Sequence, residues 1–230
     1  MTRFPATTVF LALALAAPAA QAGRPLVTDD ADVLDRGACE LEGFGARSEE
    51  PAAAPARRAS VQVGCGVGSR SQLALSAGRA WQAGDTVTGW GLGGKTGLVG
   101  PEAGRPGVAV GWFVDAQRPA GGPSRHDASG AALLGSWGDD GPWTGHANLG
   151  WVRAASTGTD TTLWGLAVEH AVRDGLDLVA ELYGTDRTRP WAGVGLRWAL
   201  HPRVGVDASW ATALHDRGTR DITVGATLAF

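Results

Sequence analysis

Short segments in which apolar and polar residues alternate recur along the chain from position 38 onward. The clearest is GVAVGWFVD, where Val108, Val110, Trp112 and Val114 take one parity and mostly glycine and alanine take the other. Alternation with period two is typical of a β-strand with one apolar face. The sequence therefore predicts an all-β fold. Twelve such segments are centred near Phe44, Val63, Leu75, Leu92, Val110, Leu133, Ala147, Leu166, Val179, Val194, Val206 and Val224.

The connections between these segments alternate in length. VGSR, GDDG, VRDG and HPR are typical of tight turns, whereas SEEPAAAPA, AQRPAGGPSRHDA and ALHDRGTR are longer and polar. An even number of strands of about 9–11 residues, with short turns on one rim and longer loops on the other, is expected of an outer-membrane barrel. We therefore predict a transmembrane antiparallel up-and-down β-barrel of about 12 strands over residues 38–230. A soluble sandwich of two packed sheets is the alternative.

The first 22 residues have the features of an export signal. Arg3 supplies a positive start, VFLALALAA is too short to span a bilayer, and AQA provides small residues for cleavage. We predict a signal peptide over residues 1–22 and an exported protein located in the bacterial outer membrane. Residues 23–37 then form an N-terminal segment that stays in the periplasm or enters the barrel as a plug. Four acids of this segment suit partnership with arginine: Asp29, Asp30, Asp32 and Asp35.

The two cysteines lie in the first two alternating segments. A hairpin centred near Ala52 places Cys39 opposite Cys65 and Leu41 opposite Val63. Opposed residues of antiparallel strands are close enough for a bridge, and exported proteins meet oxidising conditions. We therefore predict a disulfide, with two free buried thiols as the alternative. No histidine accompanies the pair, so no metal site is predicted there.

Composition narrows the possible functions further. The chain has 35 glycines and 10 tryptophans, and glycine is unfavourable inside helices. Its formal net charge is −3, and the sole lysine is Lys95, so no basic surface for nucleic acid is expected. Glycine concentrates on the polar parity, where it leaves room in a narrow lumen. Tryptophans near the strand ends suggest an aromatic girdle on the apolar parity: Trp143, Trp151, Trp191, Trp198 and Trp210.

Charged and polar side chains on the glycine-rich parity are predicted to line the lumen. An outward arginine or lysine at the bilayer midplane would cost about 2–4 kcal/mol. The acids of this set outnumber Lys95 and Arg197, which predicts an acidic, cation-favouring constriction; a salt-bridged interior that stiffens the barrel is the alternative. Arg79 shares the apolar parity, so we expect a rim position or a bulge there. The solute-path candidates are Glu40, Glu42, Lys95, His146, Asn148, Glu169, Asp177, Glu181, Tyr183, Arg197, Asp207 and Asp221.

Several motifs resemble known outer-membrane proteins. DITVGATLAF, which ends in Phe230, resembles the C-terminal strand that the barrel-assembly machinery reads in Gram-negative bacteria. RPLVTDDADVLDRGACELEGF, GWGLGGKTGLV, HANLGW, AELYG and AGVGLRWAL resemble the outer-membrane transporter family named for a meta-pathway of phenol degradation. The likeness covers most of the chain after the export signal, although the cysteine pair and the short Pro/Ala loop depart from the family pattern. It implies porin-like passage of small solutes, apolar or aromatic compounds among them.

These observations predict an outer-membrane barrel that passes or binds small solutes. Its partners would be outer-membrane lipid, the barrel-assembly machinery and the solute, with no cofactor and no nucleic acid. A structural barrel with a plugged lumen is the second hypothesis. A lipid-modifying enzyme is the third and is not favoured, because Ser124, His126 and Ser129 form the only Ser/His cluster, and no GxSxG, HExxH or P-loop motif is present.

Overall fold

A computed structural model describes residues 24–100, 105–138, 141–216 and 218–230. The predicted signal peptide, residues 1–22, lies outside the described residues. Within the described part of the chain, no helix is long and apolar enough to cross a membrane.

Twelve strands form one closed antiparallel barrel in which each strand pairs with its neighbours in chain order and β12 closes the wall against β1. This confirms the predicted fold, and each of the twelve alternating segments is a strand. The strands are β1 (Cys39–Glu49), β2 (Ala56–Gly66), β3 (Ser71–Gln82), β4 (Asp85–Val99), β5 (Gly107–Pro119), β6 (Arg125–Gly138), β7 (Trp143–Ala154), β8 (Thr159–Arg173), β9 (Leu176–Thr185), β10 (Trp191–His201), β11 (Val204–Ala213) and β12 (Arg220–Ala229).

The first hairpin has the predicted register and the predicted disulfide. Cys39 lies opposite Cys65 and Leu41 lies opposite Val63. The S–S bond is 2.08 Å long and joins Cα atoms 4.2 Å apart. The bridge therefore links β1 to β2 at the rim where Cys39 and Phe230 lie, which we name the terminal rim; the opposite rim is the distal rim.

The two rims do not show the expected contrast between turns and loops, because the distal connections have two to six residues and the longest connection, residues 100–106, is at the terminal rim. AQRPAGGPSRHDA contributes only residues 120–124 to a connection, because β5 continues to Pro119 and β6 begins at Arg125. Polar residues there still pair across the ladder, as Gln117 does with Arg125. The distal connections are residues 50–55, 83–84, 120–124, 155–158, 186–190 and 214–219.

The two parities of each strand face opposite sides of the barrel wall. Outward apolar side chains such as Leu75, Leu149 and Val224 are about 60% exposed. The glycine-rich parity faces inward and carries the buried polar residues, Lys95 and Asp207 among them. Because the outside is the exposed apolar face, a water-soluble sandwich core does not describe this molecule.

Four of the five tryptophans predicted for the aromatic girdle face outward, and the prediction is wrong for Trp191. Trp191 shares the parity of Gly193 and Arg197, so it faces inward and stacks on Tyr183 with ring centroids 6.3 Å apart. Its residue type suggested a girdle position, but the alternation of β10 decides its side. The other four lie on the outward parity as predicted: Trp143, Trp151, Trp198 and Trp210.

Arg79 is exposed on the outer face, near the distal end of β3. It pairs with Ala59 on one side and Thr88 on the other, and the register of β3 shows no shift. Of the two expectations for Arg79, the rim position is the one observed.

Candidate functional site

The N-terminal segment, residues 24–37, runs around the inside of the barrel. It begins beside Asp207 on β11, passes Glu181 on β9 and Lys95 on β4, and ends beside Gly66 on β2. The N-terminal segment therefore lies against several of the predicted site residues on the inner side of the wall.

An ion pair and a cation–π contact hold the start of the segment, at Arg24. The Arg24 guanidinium donates two hydrogen bonds to the Asp207 carboxylate, of 3.0 and 3.2 Å. Its central carbon also lies 4.3 Å from the centre of the Phe44 ring, within cation–π range. Arg197 Nη1 donates to the Arg24 carbonyl oxygen at 3.4 Å. This end is therefore tied to β1, β10 and β11.

Glu181 binds the backbone of Val27 and Thr28. Its carboxylate accepts hydrogen bonds from the backbone N–H groups of Val27 and Thr28, each at 2.9 Å. Hydrogen bonds to an ionised acceptor are stronger than neutral ones. Leu26 packs beside them in a buried cluster with Val179 and Ala167. A strand acid predicted to face a solute path thus serves first as an anchor for the segment.

Lys95 forms the most enclosed contact of the segment. Its ammonium group donates to Asp29 Oδ1 at 3.0 Å and to Asp30 Oδ1 at 2.8 Å, and a third bond of 3.0 Å goes to the Asp30 carbonyl oxygen. The side chains of Lys95 and Asp29 are both only 2% exposed. Sequence reasoning expected arginine as the partner of these acids, and the structure corrects this to lysine.

Asn148 secures the backbone at the same point. In the amide orientation that satisfies both of its groups, it donates to the Asp29 carbonyl oxygen at 2.8 Å and accepts from the Asp29 N–H at 2.5 Å. One inward amide therefore satisfies both backbone groups of a residue that is shielded from solvent.

A relay of hydrogen bonds continues from the segment into the wall. The Ala31 N–H donates to Ser136 Oγ at 2.8 Å, and Ser136 Oγ lies 2.8 Å from His146 Nδ1. On the other side of the ring, His146 Nε2 lies 3.6 Å from Glu169 Oε1, which is beyond hydrogen-bond distance. Glu169 in turn accepts from Arg197, which also bonds Asp177 at 3.3 Å.

All twelve candidate lumen residues lie on the inward parity of their strands. The structure brings eight of them into direct contact with the segment or with its anchoring network. Their part in a solute path stays a prediction. The eight are Lys95, His146, Asn148, Glu169, Asp177, Glu181, Arg197 and Asp207.

The remaining four candidates lie away from these anchors. Asp221 accepts from Arg58 at 2.7 and 2.9 Å towards the distal rim, and Tyr183 stacks on Trp191. Glu40 and Glu42 face inward from β1 near the terminal rim. Arg58 was not among the predicted lumen residues, although its parity with Gln62 and Gly64 could have identified it.

A cavity of about 430 Å³ opens at the terminal rim, between the segment and the wall. Its lining includes Arg203 and Ala229, which lie at that rim, and the carboxylates of Asp32, Glu40 and Glu42. Among the described residues, none of these three acids forms an ion pair. Desolvation inside the barrel and the nearby Asp30 carboxylate raise the pKa of Asp32. Arg203 is the one arginine or lysine of the lining that has no ion pair among the described residues, so the three carboxylates give the cavity mouth an excess of negative charge.

The lumen is not acidic throughout, because several of its acids are paired with arginine or lysine. Arg24 was not counted in the sequence analysis because it precedes the strands, and with Arg58 it offsets two of the inward acids. Two further inward acids were missed, Asp115 and Asp127, which are 8% and 4% exposed. The alternation along β5 places Asp115 on the inward face, so this residue could have been predicted. Asp127 could not, because a register shift between β5 and β6 interrupts the alternation there.

The structure does not assemble the Ser/His cluster into a catalytic arrangement. His126 and Ser129 lie on β6, Ser124 precedes it, and no hydrogen bond joins them within the described chain. The described residues also contain no group of three His, Cys, Asp or Glu side chains placed to hold a metal ion.

Three solved structures are similar to this barrel. The COG4313 outer membrane channel from Pseudomonas putida F1 has a TM-score of 0.64 at 13% identity, covering 87% of this chain and 98% of that chain. The KdgM porin has a TM-score of 0.60 at 9% identity, with 82% and 99% covered. The NanC porin has a TM-score of 0.59 at 10% identity, with 82% and 98% covered. At these identities the likeness shows the fold alone, which is that of porin-like outer-membrane barrels.

Sequence comparison with the curated proteins gives no match. The profile of a protein family, described as uncharacterised conserved protein UCP029691, matches residues 9–230. This chain belongs to that family.

Proposed function

We propose that this protein is a channel of the bacterial outer membrane whose lumen is narrowed by its own N-terminal segment. The exposed apolar belt of the outer face and the tryptophans near both rims support a membrane location, because such a surface is unfavourable in water. Export by residues 1–22 and recognition of Phe230 by the barrel-assembly machinery are part of this proposal.

The cavity at the terminal rim carries the functional proposal. Asp32, Glu40 and Glu42 line it and have no ion pair within the described chain. Arg24, Lys95 and Arg197 of the lining are paired with other acids, which leaves Arg203 to offset three carboxylates. A passage with one sign of charge raises the local concentration of the opposite ion. We therefore infer that the channel favours small cations and uncharged solutes over anions.

The solute class follows from the wall as well as from the charge. The inward face carries the half-buried aromatic rings of Tyr183 and Trp191, which suit apolar or aromatic compounds. The sequence resemblance to the phenol-degradation transporter family points to the same class. The KdgM porin has been solved in complex with disordered oligogalacturonate, a polyanion. The unpaired carboxylates of this cavity argue against such a substrate here.

A structural barrel with a plugged lumen is the second candidate function. The observation that favours it is the number of anchors on the segment, with bonds or packing to strands as far apart as β2, β4, β6, β9 and β11. In this case the segment would never leave room for a solute.

The reversal potential of protein refolded into planar bilayers tests the channel proposal. In a potassium chloride gradient, the wild type is expected to pass small currents with cation preference. The variant Asp32→Asn/Glu40→Gln/Glu42→Gln is expected to lose that preference, because only the mouth acids change. Asp160→Asn is the matched control, since Asp160 pairs with Arg153 on the exposed outer face. Absence of current in every protein would support the plugged barrel.

A further inference from the structure

Charged residues on the outer face are concentrated at the distal rim. Along β12, β1, β2, β3 and β5, the outward parity is uncharged through its middle and then carries arginine near the distal end. These five side chains are all exposed, and we name them the arginine belt: Arg47, Arg57, Arg79, Arg118 and Arg220.

The pairing register places the belt in a compact patch. Arg47 lies directly opposite Arg57, and Arg79 lies one diagonal step from Arg57. Thr88 lies opposite both Arg79 and Arg118, on the strand between them. Neighbouring strands are about 4.8 Å apart, so the backbones at Arg79 and Arg118 are about 10 Å apart. The three arginines on β2, β3 and β5 therefore lie across three strand spacings, about 14 Å, on one side of the barrel.

The belt has more positive charge than the protein itself neutralises. Glu49 accepts from Arg47 at 2.8 Å and from Arg220 at 2.6 Å, so one carboxylate serves two arginines. Arg57, Arg79 and Arg118 have no ion pair or side-chain hydrogen bond in the described chain. Like charges directly opposite each other destabilise a sheet. An external anion would remove this cost.

The side chains around the belt show at what depth it lies. Trp81 lies opposite Arg57, and Trp90 is two residues along β4 from Thr88; both rings are about 40% exposed on the outer face. Tryptophan on a lipid-facing surface marks the level of the headgroups. Beyond this level towards the barrel middle, Leu75 and Leu92 are apolar and exposed.

Resting on the membrane location proposed above, we propose that the arginine belt binds the phosphate groups of lipid A, the phosphorylated glycolipid of the outer leaflet. The proposal places the distal rim on the outer side of the membrane and the terminal rim, where Cys39 and Phe230 lie, on the periplasmic side. Arginine suits this ligand because its planar fork bonds phosphate in bidentate fashion. The partner is thus an anionic headgroup on the outside of the barrel, distinct from any solute inside it.

Binding of lipid A to the full mature protein in a neutral detergent tests the proposal. Native mass spectrometry is used with three probes: bisphosphorylated lipid A, dephosphorylated lipid A and phosphatidylglycerol. The wild type is expected to retain bisphosphorylated lipid A in preference to the other two. Arg57→Gln/Arg79→Gln/Arg118→Gln is expected to bind it at least about tenfold more weakly, since three charge-assisted contacts are lost.

Arg153→Gln is the matched control, because Arg153 lies on the outer face at the same rim but pairs with Asp160 at 3.0 Å. It is expected to bind lipid A as the wild type does. Equal binding by the triple variant and the control, or equal retention of the phosphate-free probe or of phosphatidylglycerol, would overturn the proposal. If the triple variant does not fold, Arg79→Gln and Arg118→Gln are measured singly, and each must weaken binding. The triple variant should keep the wild-type reversal potential, so failure of lipid binding and failure of the channel proposal are distinguishable.

Discussion

At the residue scale, Lys95 holds the N-terminal segment against the barrel wall. Its ammonium group makes three hydrogen bonds to Asp29 and Asp30 in a site that is almost closed to solvent. A buried charge that loses its partner is costly, because the remaining charge has neither water nor a counter-ion. The contact therefore decides how firmly the segment is attached.

Lys95→Met is expected to weaken that attachment by about 3–5 kcal/mol, because the Asp29 carboxylate would remain buried without its cation. The amides of Ala31 and Leu34 should then exchange hydrogen faster by at least about two orders of magnitude. Arg153→Gln, which removes an exposed pair, should change exchange little. Unchanged protection of the segment in Lys95→Met would contradict the role given to this residue.

Gly66 leaves room for the end of the segment. A methyl group built on Gly66 would overlap the carbonyl oxygens of Leu34 and Asp35. Gly66→Ala is therefore expected to destabilise the protein by about 1–3 kcal/mol, as overpacking usually does. Gly68→Ala is the control, because nothing lies within 4 Å of its added methyl group. Thermal unfolding of both variants in detergent measures the difference, and equal midpoints would count against this close approach.

Asp32 gives the cavity mouth a response to pH. Because its pKa is raised, Asp32 takes up a proton at a higher pH than a free aspartate, whose value is about 3.9. As the pH falls through the raised value, one negative charge is lost and cation preference should fall. Reversal potentials of the wild type and Asp32→Asn across a pH series measure this. Coincident pH profiles for the two proteins would show that Asp32 is not involved.

At the scale of elements, the first hairpin was predictable because two constraints agree. Period-two alternation fixes which residues face outward, and the opposition of Cys39 and Cys65 fixes the register. A shift of one residue would turn every side chain to the wrong face, so a single register satisfies both. Trp191 follows the same alternation: its parity along β10 places it inside the barrel, although its residue type suggested the outer girdle.

The disulfide is expected to stabilise the hairpin mainly through the unfolded chain. The cysteines are 26 residues apart, and a loop of this size corresponds to about 3.5 kcal/mol in the loop-closure account. Cys39→Ser/Cys65→Ser should lose about this much free energy of unfolding in detergent. Treatment of the wild type with dithiothreitol should reproduce the loss, and the double variant should not respond. A response of the double variant would assign the effect to something other than the bridge.

The N-terminal segment could not be placed from the sequence. It has no alternating pattern, and its partners are distant in the chain, since Lys95 lies 65 residues from Asp30. Periodicity identifies which strand residues face inward, but it does not show what fills the space between them. For the same reason the lumen was expected to be acidic throughout, whereas Arg24 on this segment neutralises Asp207.

At the scale of the whole molecule, the barrel has an apolar exterior with an arginine belt at the distal rim and a charged interior occupied by its own chain. The closed wall removes every sheet edge, because each strand is paired on both sides. A segment inside such a wall sets the width of the passage without being needed for closure of the barrel.

Single-channel conductance of the wild type and of a variant lacking residues 24–34 tests this account most directly. The deletion leaves the disulfide and all twelve strands in place. The account predicts small, cation-preferring currents for the wild type and clearly larger currents for the deletion variant, because the lumen is then lined by the strands alone. Equal conductance of the two proteins, or no conductance from either when both are folded, would contradict it.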